Sequence, residues 1–148
     1  MKRSLLFLLI IFLVTSACHN KLHHPQTQTM NAIATFDNTR WKLLKLPGID
    51  SLPLLEKDAF IQFNKGDTTF HGYAGCNNMT GRYTSEGSHL TIGPAAMTRM
   101  MCPEENMKVE DQLSRAINST DNYLINGDHL ELRKGNELLA EFKALYLK

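Results

Sequence analysis

The segment Gly72-Tyr73-Ala74-Gly75-Cys76-Asn77-Asn78-Met79-Thr80-Gly81-Arg82-Tyr83 constrains the fold more than any other stretch. It sets three glycines, two adjacent asparagines and a cysteine between runs that read as β-strands. Gly and Asn tolerate positive φ, so the chain can reverse here where other residues would clash. A second anchor, Thr98-Arg99-Met100-Met101-Cys102-Pro103, brings another cysteine to the threshold of a helical pattern. The expectation is a β domain organised around the first anchor, with the second anchor joined to it.

The chain opens on Met1-Lys2-Arg3, followed by ten unbroken apolar residues from Leu5 to Val14 and then Thr15-Ser16-Ala17-Cys18. That is the layout of a secretory signal peptide over residues 1–17. Ten helical residues span about 15 Å, half of a hydrocarbon core of about 30 Å, which argues against a permanent spanning helix. Ser16-Ala17-Cys18 resembles the lipobox of bacterial lipoproteins, with Thr15 where such boxes most often carry Leu. The resemblance implies an acylated Cys18 and a membrane anchor, since several acyl chains hold where one does not. His19 follows the cysteine in place of Asp, which points to the outer membrane, facing the periplasm.

Residues 18–38 include Pro25, Gln26, Thr27, Gln28 and Thr29 without a sustained apolar period, and read as a flexible tether. His19, His23 and His24 lack Cys, Asp or Glu at ligand spacing, so no metal site is expected there. The folded domain is expected over residues 39–148. Trp41 and Leu43 face inward in a first strand that Pro47-Gly48 stops. Ala59–Asn64 and Thr68–Tyr73 form a hairpin across Lys65-Gly66-Asp67, and strands over Gly81–Thr84 and His89–Ile92 follow. Val109, Leu113, Ala116 and Ile117 then fall on one face of a helix expected from Pro103 to Asn118. Pro103, Glu104 and Glu105 suit its first turn. Asp121–Ile125 and His129–Arg133 make a second hairpin across Asn126-Gly127-Asp128, and a last strand begins at Glu137. The sum is mainly β: seven or eight antiparallel strands in a curved sheet or half-barrel, packed on one helix.

With Cys18 acylated, Cys76 and Cys102 remain as an even pair in an exported domain, which favours a disulfide. Two free buried thiols, or a redox or metal pair, are the other readings; CxxC is absent. Without Lys2 and Arg3 the chain has 14 basic and 15 acidic side chains, a net −1, and no basic stripe for nucleic acid.

From about Thr39 to Leu145 the chain resembles the META domain family, which includes the heat-shock protein HslJ. The resemblance rests on Trp41 and Leu43, then Gly72, Gly75-Cys76-Asn77, Gly81 and Tyr83. It continues through Thr98, Met100, Met101 and Cys102, Glu110 and Leu113, and Leu130-Glu131-Leu132. It implies an antiparallel half-barrel with a helix, similar in shape to type III secretion pilotins, an association with stress and the cell envelope, and no known reaction.

No Gly-x-Ser-x-Gly elbow, HExxH, P-loop or GxGxxG is present. Glu104, Glu105, Glu110 and Asp111 read as a solvated helix face, and a catalytic Cys76 with His71 or His89 is disfavoured by the competing thiol of Cys102. Met97, Met100 and Met101, with Leu113 and Ile117, read either as core or as the wall of an apolar pocket between sheet and helix. The expected function is therefore a non-enzymatic envelope lipoprotein, monomeric and without a cofactor. It would bind an apolar ligand, lipid included, or an envelope protein partner. The alternatives are a passive structural module of the envelope and a hydrolase or redox enzyme.

Overall fold

Period-two burial along Arg40-Trp41-Lys42-Leu43 leaves Trp41 and Leu43 inside and their neighbours outside, which is what makes this run a strand. The computed structural model describes residues 34–146. The expectations for the leader over 1–17, for Cys18 and for the tether up to residue 33 lie outside the described residues. Within them the chain runs β1 (Arg40–Lys45), β2 (Phe60–Asn64), β3 (Thr69–Tyr73), β4 (Asn78–Glu86), β5 (His89–Ile92) and β6 (Ala96–Met97). It continues through α1 (Glu104–Ser119), β7 (Asn122–Asn126), β8 (His129–Lys134) and β9 (Glu137–Leu145).

The strand order is β3-β2-β1-β9-β8-β7-β5-β4-β6, antiparallel throughout, with an additional pairing of β3 and β4. That pairing returns the order to its start, so the sheet curves round into a barrel. Its thinnest seam is between β5 and β7, where His89 opposes Asn122. Two further backbone bonds, Leu90 N–H to Asp121 and Tyr123 N–H to Ser88, flank that pair.

Among the described residues there are nine strands rather than seven or eight, because the chain pairs with β4 twice on the same side. Gly93-Pro94-Ala95 interrupts the run after β5, and Ala96–Met97 resumes it as β6, opposite Thr80 and Met79. Proline has no N–H to give to the ladder, so the interruption falls beside it. β4 also begins three residues before the expected Gly81, at Asn78.

The helix carries Val109, Leu113, Ala116 and Ile117 into the same core as Trp41, Phe63 and Phe142. It ends at Thr120, whose hydroxyl donates to Ala116 O (2.8 Å). Glu110 departs from the solvated face expected for it and is buried with the apolar stripe.

The domain also begins earlier than Thr39. Ala34 and Phe36 are buried, and the Phe36 ring stacks on Phe63 (4.3 Å) and Tyr123 (4.1 Å). Trp41 Nε1–H donates to Phe36 O (3.0 Å), and Tyr83 OH donates to the Asp37 carboxylate. Residues 34–38 therefore belong to the domain and not to the tether. Their one large apolar side chain finds an aromatic slot that only the folded barrel supplies.

Candidate functional site

The turn between β3 and β4 is built by its own sequence. Gly75 takes φ +103°, a left-handed value that glycine accepts without strain. Gly72 and Gly81 serve differently from the expected turn role, since neither needs a positive φ. A Cβ on Gly72 would lie 2.3 Å from Phe60 O, and one on Gly81 would lie 2.6 Å from the Phe70 ring. These two glycines let backbone and ring approach where any side chain would intrude.

Asn77 is 2% exposed and spends every polar atom inside the fold. Its backbone N–H donates to Glu110 Oε2 (2.7 Å), and its Nδ2 donates to Glu110 Oε1 (3.1 Å) and Met100 O (3.2 Å). Its Oδ1 accepts from the Thr98 hydroxyl (2.8 Å) and from Met100 N–H (2.7 Å). One side chain thus ties the β3–β4 turn to both the second anchor and the helix. A buried carboxylate is tolerable because it is met by these donors. Beside it, Cys76 and Cys102 form the expected disulfide, with Cα atoms 5.9 Å apart. The motif residues converge on one another, and the polar atoms of the Asn77 side chain are all engaged within that network.

The expected apolar pocket divides. Met97, on β6, faces two clefts that it shares with Met79. The first, about 280 Å³, lies between sheet and helix and is lined by Pro94, Ala95, Ser114 and Ile117 as well. The second, about 510 Å³, runs over the outer surface of β2, β3, β4 and β6, where Phe60, His71, Thr80 and Ala96 line it. Leu113 lines neither; it is wholly buried in the core. Met100 and Met101 point away, 53% and 97% exposed, so the second anchor uses the Met100 backbone rather than its side chain. The structure gives Met101 no packing role. Met79, Phe60, Thr80 and Ala96 escaped the sequence reading, and the alternation through Met79-Thr80 was the signal that could have found them.

Among the described residues no group of three or more His, Cys, Asp or Glu side chains is arranged to hold a metal ion. No helix among them is long and apolar enough to cross a membrane. Burial first, then its bond to Asp37, push the Tyr83 phenol far above the usual range.

A model of the META domain family matches residues 34–145. No curated protein matches the chain. An NMR structure of a protein from Burkholderia xenovorans has a TM-score of 0.60 at 19% identity, over 76% of this chain and 85% of that one. A second protein solved by NMR has a TM-score of 0.59 at 20% identity, over 74% and 95% respectively. At these identities the likeness is one of fold.

Proposed function

The chain belongs to the META domain family, and from that premise we propose that it is a non-catalytic, stress-related lipoprotein of the bacterial envelope that binds an apolar ligand. The observation that carries this reading is the pair of clefts meeting at Met79 and Met97, beside a motif whose polar atoms are consumed by one another. Methionine side chains are adaptable and suit a surface that accepts flexible apolar molecules. Anchoring through Cys18, with the domain held at the periplasmic face of the outer membrane, would keep such a site beside its supply. A protein partner is the second reading, favoured by Leu54 and Met101, which are 101% and 97% exposed.

One preparation tests the proposal. In bacteria fed labelled palmitate, the label should follow the wild-type chain and vanish on Cys18→Ala. Non-denaturing mass spectrometry of the same wild-type material should carry a bound mass in the lipid range. Label persisting on Cys18→Ala would remove the anchor, and a bare chain would turn the reading to the protein partner.

A further inference from the structure

The outer cleft has a chemical polarity along its length. At its β2 end lies Phe60, and two cations that do not themselves line the cleft reach the Phe60 ring. The Arg40 guanidinium sits 4.0 Å from the Phe60 ring centroid, and Lys57 Nζ sits 5.9 Å from it and 4.9 Å from the Tyr73 ring. Among the described residues, the ion pairs formed with carboxylates are made by other cations, and neither Arg40 nor Lys57 is engaged in one. Glu56 and Glu110 are the acidic neighbours at this end: after burial, their charges raise the Tyr73 phenol above its usual range. Glu110 is held by Asn77 and Asp58 is paired with Lys42, which leaves Arg40 and Lys57 with Glu56 at this end. The opposite end is apolar, formed by Met79, Ala96 and Met97.

We infer that the cleft holds an anionic amphiphile, an apolar chain bearing a carboxylate or phosphate head. The head sits at Arg40 and Lys57 and the chain crosses β3 and β4 to reach Met97. This rests on the apolar-ligand reading above and names the ligand class. From β2 to β6 is three strand spacings, about 14 Å, a span that suits an extended acyl chain and not a small polar solute. Met97 also borders the cleft against the helix, so a longer chain has apolar surface to continue along. Arginine over an aromatic ring keeps its N–H fork available for a carboxylate or a phosphate, which gives the head a fixed seat.

The test uses the full chain in native membranes and three photoactivatable probes: a diazirine palmitic acid, the matching diazirine hexadecanol and a diazirine phosphatidylglycerol. Labelled sites are mapped by peptide mass spectrometry. The acid should label the segments carrying Met79 and Met97 about fivefold more than the alcohol, the ratio of one partly exposed ion pair. Arg40→Gln with Lys57→Gln should bring that ratio close to one, and Arg40→Lys should keep most of it. Ala96→Trp, at an exposed position, should block every probe without moving the thermal transition. Preference for the phosphatidylglycerol over the free acid would support a phosphate head, and the reverse a carboxylate. Equal labelling by acid and alcohol, or a ratio indifferent to the double variant, overturns the anionic head while leaving an apolar cleft. Silence from all three probes overturns both.

Discussion

Asn77 shows how one buried side chain can join distant segments. It lies in a glycine-rich turn beside a cysteine, and its amide makes four hydrogen bonds within the fold. Asn77→Ala would leave Glu110 Oε1 and the Met100 N–H and C=O without their partner. The expected loss is about 2–4 kcal/mol in denaturant unfolding, since orphaned buried polar groups lose more than a net hydrogen bond. Asn77→Asp should be at least as damaging at neutral pH, because a second carboxylate would face Glu110, and should recover in part on mild acidification. A variant as stable as wild type would show that water replaces the amide. The importance of the asparagine was legible in the sequence; its partner was not. Glu110 sits among Glu104, Glu105 and Asp111, and nothing in their spacing says which carboxylate turns inward. Of the four, Glu110 alone follows Val109 along the helix surface that the barrel covers.

At the scale of elements, the second anchor is a strap. It leaves β4 through the pairing of Asn78 with Thr98, passes the Asn77 amide, and is stapled by Cys76–Cys102 before α1 begins. The bridge spans 26 residues, and closing a loop of that length stabilises by about 3–4 kcal/mol in the chain-entropy account. Cys76→Ser should lower the melting temperature under oxidising conditions. A reductant should lower that of the wild type in the same direction and leave the variant unmoved. Unchanged transitions in both would refute the bridge. The helix was readable almost to the residue, Glu104–Ser119 against an expected Pro103–Asn118, because a 3.6-residue period extends over four turns. β6 was not, because a two-residue strand has no period to read, and it exists only where Met79 and Thr80 offer a ladder.

For the molecule as a whole, the seal of the barrel includes a contact that links residues 83 and 37. Tyr83 holds its proton in the folded state to well above the unfolded value of 10.0, through burial, the bond to Asp37, and the nearby Asp37, Asp67 and Tyr123. A phenol raised in the fold contributes stability that is fully present below pH 10. That contribution falls as pH rises beyond 10, where the unfolded chain releases the proton and the folded one keeps it. Thermal unfolding followed from pH 8 to 11 should therefore show an alkaline loss. Tyr83→Phe should have a shallower loss, with the remainder coming from Tyr73 and Tyr123, whose phenols are also raised. Identical alkaline slopes would remove Tyr83 from the account.

The amino-acid sequence by itself determined what depends on near neighbours along the chain. The alternation that makes strands, the helix with its apolar stripe and the glycine turns are of this kind, and the cysteine pair was legible once Cys18 was set aside as the expected acylation site. Tertiary structure alone decided what depends on residues brought together from far apart. Closure of the sheet through β3 and β4, the inward turn of Glu110 and the capture of Phe36 by Phe63 and Tyr123 are of that kind. So is the partition of the methionines, with Met97 lining both clefts and Met101 left in solvent. The physical reason is one of range. Backbone preference and periodic burial act over a few residues, whereas the partner of a buried polar atom or a ring is chosen by whichever surface the finished barrel presents.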